Sequence, residues 1–361
     1  MSALKTNLDD LQRIAKERTV KTQTIEYDLE TMVKKIDKNI IKLNPEYQRK
    51  HRWKIENSSR LIESLILNIP VPFIYISQDI DVDEEVEDDV SRYSVIDGQQ
   101  RLTAIHDFFK CKYPLTDLEV LEQLNGCLYS DLPPFLIRRL EERSIRCLRI
   151  DSTVDQQVKY DIFERLNSGS VKLEPQELRN ATCRGPFKKL LKKLAKHPSF
   201  VELAELKPLS SRVKKMEDEE LVLRYFALTY NDGYMDYKGG FKKFLTSKMV
   251  EFNKLPEDTL KGFEKNFVSV MDKIKNEFPV MPFAKYRKLD DENLEIMSQV
   301  NVSVFDAIVS LFNKAVLGNK DISQLNILSL FLDDDFFMSC EGSTNDAKKI
   351  QTRINKAIEL L

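Results

Sequence analysis

The chain has 361 residues, 42% of them hydrophobic, which is enough to bury a large core and points to two domains more readily than one. Its 56 basic and 58 acidic residues leave a formal net charge of -2, which excludes a global field drawing it onto nucleic acid, so any such contact needs a local patch. Five scattered cysteines (Cys111, Cys127, Cys147, Cys183, Cys340) exclude a close-pair zinc motif. With neither a signal-peptide core nor an apolar run near the ~20 residues that span a bilayer, the expectation is a soluble cytoplasmic protein with reduced thiols and no membrane contact.

Residues 1–22 read as a polar arm with a weak helical pattern at Leu8, Leu11 and Ile14, to which no function is assigned. Leu29, Met32, Val33 and Ile36 mark one helix face, and Ile40 to Leu43 reads as a short strand. Pro45 then ends regular structure, so the stretch through Lys54 is a loop. Its Tyr47 and Trp53 offer flat faces for a base or guanidinium, and Arg49, Lys50, Arg52 and Lys54 offer charge for phosphates; a solvated basic loop with its aromatics in the core explains these residues equally well. Ser58-Ser59 supplies an N-cap for a helix carrying Leu61, Ile62, Leu65 and Ile66 and ending before Pro70. Val71 to Ile76 is β-rich and should pair with Arg92 to Ile96. The acidic run between them, Asp79 to Asp89, lacks the order of a calcium loop and reads as a solvated hairpin tip.

The stretch Ser94 to Ile105 carries the densest chemistry. A strand passes through Asp97-Gly98, a pair suited to a tight turn, into a helix whose first backbone N–H groups are unpaired and suited to an anion. Arg101 can grip phosphate oxygens, and Asp97 suits a hydrated cation, a sugar hydroxyl or a reacting water, so the residues suggest nucleotide plus magnesium. The competing reading is a capped turn in which Asp97 bonds backbone amides and pairs with Arg101. His106, on the helix that follows, reads as a packed or capping residue more readily than a base.

Leu132 to Arg143 reads as a helix and Ser144 to Ile150 as a strand, an arginine-dense region for which a surface ion-pair network is at least as good a reading as DNA phosphate contact. Val154 to Leu166 forms a helix ending at Asn167-Ser168-Gly169-Ser170, and another starts at Leu173. Phe187 to Lys196 is an amphipathic helix with a lysine-rich outer face. Beyond it strand signals fade, giving a first domain over 23–185 and an all-α helical domain over 186–361.

Val95-Ile96 followed by Asp97-Gly98-Gln99-Gln100-Arg101 and Leu102-Thr103 resembles the DGQQR signature of the N-terminal domain of the GmrSD-type restriction family, related to the ParB and sulfiredoxin fold. Asn44-Pro45 with Gln48-Arg49 is similar to the first motif of ParB-like domains, and Tyr47-Gln48-Arg49 followed by Trp53 matches the GmrSD-type pattern. Phe163, Asn167, Gly169, Leu173, Glu177 and Leu178 match it further on. Glu219 with Leu221 through Leu228, Ser343 to Asn345, Arg353 and Ala357 are similar to the family's C-terminal half.

The resemblance implies an α+β chain: a small mixed-sheet ParB/sulfiredoxin-like domain, then helices. It implies a pocket where Asp97, Arg101 and Gln100 act on a nucleoside triphosphate of unspecified base, with magnesium at Asp97, and where Gln48, Arg49, Gly98, Gln99, Tyr47, Trp53 and Asn167 hold the nucleotide. Arg49 and Arg101 would stabilise triphosphate charge while the glutamines position phosphate or sugar. The implied role is an NTP-hydrolysing component of a bacterial anti-phage, modification-dependent (type IV) restriction system acting on DNA, as a homodimer or with a nuclease partner subunit. No His-rich nuclease motif follows residue 200. The alternatives are a metal-dependent DNA nickase using the same pocket, against which the single carboxylate of the signature counts, and a non-catalytic DNA- or protein-binding adaptor.

Overall fold

Short β-branched runs in the first half of the chain need apolar cover on at least one face, and the intervening amphipathic helices supply it. The computed structural model describes residues 21–43, 53–78, 92–151, 154, 156–166, 174–183, 185–208, 210–289, 293–323 and 325–361. Two units divide the chain, 1–173 and 174–361.

The first unit runs β1 (Thr22–Asp28), α1 (Leu29–Asp37), β2 (Ile41–Lys42), α2 (Ile55–Ile66), β3 (Ile74–Gln78), β4 (Tyr93–Asp97), α3 (Gln99–Phe109), α4 (Pro134–Glu141), β5 (Ser144–Ile150) and α5 (Gln156–Leu166). Its sheet has the order β1-β5-β3-β4-β2, with β1/β5 and β3/β4 antiparallel and β5/β3 and β4/β2 parallel. The expected pairing of the strands on either side of the acidic run is present as β3 against β4, with Tyr75 opposite Asp97. Leu29, Met32, Ile62, Ile74, Ile76, Leu102, Ile105, Phe108 and Cys147 are fully buried together beneath the helices.

Three local expectations change. β1 carries only Ile25 and Tyr27 as apolar residues and pairs at the sheet edge, so its alternation was too sparse to mark a strand, and the expected arm gives up Thr22 to it. α2 starts at Ile55, one turn before the serines proposed as its cap; Ser58 and Ser59 are buried inside it, and Ser59 Oγ accepts the Thr116 N–H at 3.0 Å. β3 begins at Ile74, past Pro72. The arm's residues 1–20 and the acidic run at 79–89 lie outside the described residues.

The second unit is largely helical: α6 (Pro175–Thr182), α7 (Pro186–Leu194), α8 (Glu217–Thr229), α9 (Phe241–Phe252), α10 (Glu257–Glu277), α11 (Val302–Leu317) and α12 (Ala347–Ile358), with shorter helices between them. α11 is apolar around nearly its whole circumference, so it is buried at the centre against α8, α10 and α12. α6 packs against α8 and α9, which puts it in this unit and sets the division at 173/174 instead of 185/186. The region is not all-α. β6 (Lys285–Lys288) and β7 (Leu294–Ser298) form an antiparallel ribbon, missed because β7 is exposed along most of its length and shows no alternation of burial.

Several residues that the family resemblance singled out in this half form a buried ionic node. Arg224 donates to Asp306 through Nε (2.6 Å) and Nη2 (2.7 Å), and Arg353 Nη2 donates to the same carboxylate at 2.5 Å. Arg353 Nη1 also donates to the Thr344 carbonyl at 2.6 Å, and Arg224 lies 4.1 Å over the Phe241 ring. Burial alone would raise the Asp306 pKa, but the two guanidiniums hold it below the usual carboxylate range.

Candidate functional site

The strand-to-helix joint turns on Gly98. Its φ of +92° lies in the left-handed region, and a Cβ there would press against Ile74 Cδ1 and sit 3.1 Å from Arg101 Nη2, so both conformation and space require glycine. Gly98, the residue that precedes the helix, has no side chain with which to cap α3, and Leu102 N–H reaches Gly98 O at 3.0 Å, so the positive end of the helix dipole lies at the joint. Beside it, Arg101 Nη2 donates to Asp97 Oδ2 at 2.8 Å, and Nη1 donates to the Pro72 carbonyl. The guanidinium side chain is 12% exposed and the Asp97 side chain 43%. Burial pushes the Arg101 pKa down against the pull of Asp97, yet a guanidinium stays charged. Asp97 Oδ1 makes no hydrogen bond among the described residues, so the carboxylate spends one oxygen on Arg101 and keeps one for another partner. Below the joint, burial raises the Cys147 thiol to about 12, so it is no nucleophile.

One residue around the helix, the environment changes. Gln100, Thr103, Ala104 and Asp107 share the next face of α3, and with Trp53, Ile55, Ser58, Lys112 and Tyr113 they line a cleft of about 410 Å³. Gln100 Oε1 accepts the Trp53 backbone N–H at 3.1 Å, fixing the end of the basic loop to the signature helix. Tyr113 donates its hydroxyl to the Ala104 carbonyl at 2.9 Å. The signature is therefore divided: Asp97, Gly98 and Arg101 form the joint, and Gln100 faces the cleft with Trp53.

His106 differs from a plain packed residue. Its Nε2 lies 3.0 Å from Asp37 Oδ1 and its Nδ1 3.3 Å from Asp107 Oδ1, while Lys110 and Lys112 reach Asp37 and Asp107, each at 2.7 Å. The Asp107 hydrogen bond holds the imidazolium's pKa above its ordinary value against burial, with Asp37 adding to it. Sequence reasoning missed Asp37 because nothing local marks a carboxylate whose partner is 69 residues away, and it missed Asp107 although that residue follows His106 directly.

Tyr47, Gln48, Arg49 and Asn167 lie outside the described residues. Among the described residues no three of His, Cys, Asp and Glu gather as a metal cage. A single carboxylate with a spare oxygen does suit magnesium, which keeps several waters and is completed by phosphates; Asp97 fits that role, and the positive end of the α3 dipole fits a phosphate. The basic stretches have partners within their own unit: Arg143 donates to the Leu65 carbonyl, Arg146 to Glu26 and Arg149 to Gln23, while on α7 Lys188 donates to the Asn180 carbonyl and Lys193 to Glu264. These contacts favour the ion-pair reading over dedicated DNA contacts.

Residues 29–183 match the family model described as GmrSD restriction endonuclease, N-terminal domain. That segment belongs to the family that the DGQQR motif pointed to, a family of restriction systems. No curated protein matches the chain. No helix among the described residues is long and apolar enough to cross a membrane.

Proposed function

We propose that this chain, with a GmrSD-type N-terminal domain over residues 29–183, is a nucleotide-binding and NTP-hydrolysing component of an antiviral restriction system acting on DNA. The observation that carries the reading is the joint itself: a helix start entered through the left-handed Gly98, beside a carboxylate that is half committed to Arg101. In this reading the backbone N–H groups of Gln100 and Arg101 would hold phosphate, Asp97 Oδ1 would hold hydrated magnesium or the attacking water, and Gln100 Oε1 keeps the Trp53 backbone against the helix. Bound magnesium supplies charge neutralisation on the phosphates. Arg101 orients Asp97 and contributes positive charge from its semi-buried position.

One observation favours the adaptor alternative as a second reading. Arg101 donates to both the Pro72 carbonyl and Asp97, so in this arrangement it holds the joint together and stabilises phosphate charge only from a distance. A sensor that binds nucleotide without turning it over would use the same contacts. Equilibrium dialysis of each of the four nucleoside triphosphates with magnesium, with and without DNA, tests the shared premise. Binding weakened at least about tenfold by Asp97→Ala supports it. Absence of binding under every condition contradicts both readings.

A further inference from the structure

The cleft along α3 has the size and walls of a base pocket. Its volume of about 410 Å³ suits a nucleoside, and Trp53 with Tyr113 supplies aromatic surface. The Tyr113 hydroxyl is spent on the Ala104 carbonyl, so Tyr113 offers its ring and not a donor. Gln100 and Asp107 stand two turns apart on one helix face, about 10 Å at the rise of an α-helix. A nucleoside laid along this face brings its 5′ end to the helix start and its base edge to Asp107 and Lys112.

These two residues offer a fixed pattern. Asp107 Oδ1 accepts from Lys112 Nζ at 2.7 Å and faces His106 Nδ1, whereas Asp107 Oδ2 makes no hydrogen bond among the described residues. Lys112 is 55% exposed and keeps two N–H donors. An acceptor-only group therefore stands beside a donor-only group. A keto base presents the matching edge, an imino N–H next to a carbonyl whose two lone pairs accept an ammonium over a broad range of angles. An amino base presents an amino group next to a ring nitrogen with a single in-plane lone pair, a narrower target for the same ammonium.

We propose that this cleft binds the base of the nucleotide and that Asp107 and Lys112 select keto bases, guanine and uracil, over the amino bases adenine and cytosine. The inference rests on the nucleotide reading above for its biological context, but its own test needs no phosphate. Trp53 is the sole tryptophan of the chain, so its emission reports on the cleft. The intact protein is titrated with guanosine, uridine, adenosine and cytidine, then with the corresponding triphosphates and magnesium. Guanosine and uridine should change the emission with half-saturation about tenfold below that of adenosine and cytidine. Lys112→Met, at an exposed position, should raise the keto half-saturations about tenfold and move the amino ones less than about twofold. Equal responses to all four nucleosides, or a Lys112→Met protein that keeps the preference, overturn base selection. Triphosphates that bind by dialysis without disturbing Trp53 overturn the cleft assignment and leave the nucleotide reading standing. Selective nucleoside responses, with no further gain from the triphosphate, support the cleft assignment and remove the triphosphate reading.

Discussion

Two arginine–aspartate clusters, one in each unit, separate what holds this protein together from what equips it to act. In the helical unit, Asp306 is fully buried and both of its oxygens are consumed by Arg224 and Arg353. In the mixed-sheet unit, Asp97 is part-exposed and gives only one oxygen to Arg101. A desolvated carboxylate is stable only when opposite charge and hydrogen bonds compensate its burial, and the two guanidiniums closed around Asp306 do this work and shut it off from solvent and ligand. The second cluster has capacity at the surface, beside the start of α3. The family resemblance covers residues of both clusters, and the geometry assigns them different work.

That contrast can be broken most directly at Asp306. Asp306→Ala leaves two buried guanidiniums facing each other and should cost about 3–5 kcal/mol in chemical denaturation, enough to unfold the helical unit in mild denaturant. A loss below about 1 kcal/mol would mean that the node is not a structural element. Gly98→Ala comes next: the left-handed φ and the contact with Ile74 should together cost about 1–3 kcal/mol and abolish nucleotide binding, read by denaturation and dialysis on the same samples. Asp97→Ala should cost only about 1 kcal/mol, because the pair is partly solvated, while removing nucleotide binding; a stability loss as large as that of Asp306→Ala would erase the distinction between the clusters.

The smallest effect concerns His106. Its folded pKa lies above the ordinary 6.5, so its stabilising contribution is complete below that value and is lost as pH rises through the folded pKa. Asp37 and Asp107 are held below the usual carboxylate range and stay ionised across this window. His106→Gln should therefore be less stable than the wild type at about pH 5.5 and close to it at about pH 8.5. A gap that widens with pH would show that the imidazole is not protonated between the two aspartates.

Local patterning carried much of this architecture. The pairing of β3 with β4 followed from two apolar runs flanking a polar tip, and β5, α1 and α3 followed from period and punctuation. The joint was legible because Asp97, Gly98 and Arg101 lie within five residues, and of the turn reading the Asp97–Arg101 pair is present while the bonds from Asp97 to backbone amides are not seen among the described residues. Gln100 reaching Trp53 and His106 lying between Asp37 and Asp107 were not legible, since each depends on partners 47 and 69 residues away that only the packed sheet brings together. The same holds for Asp306, which joins residues 82 and 47 positions distant. The ribbon β6-β7 escaped because its exposed strand carries no burial rhythm to read.

Steady-state phosphate release from each nucleoside triphosphate with magnesium, with and without phage DNA, tests the central claim most directly when the wild type is set beside Asp97→Ala and Arg101→Ala, with thermal melts confirming that both variants are folded. Turnover by the wild type and its loss in both folded variants is the predicted result. No turnover by the wild type with any nucleotide, or undiminished turnover in Asp97→Ala, would contradict the account.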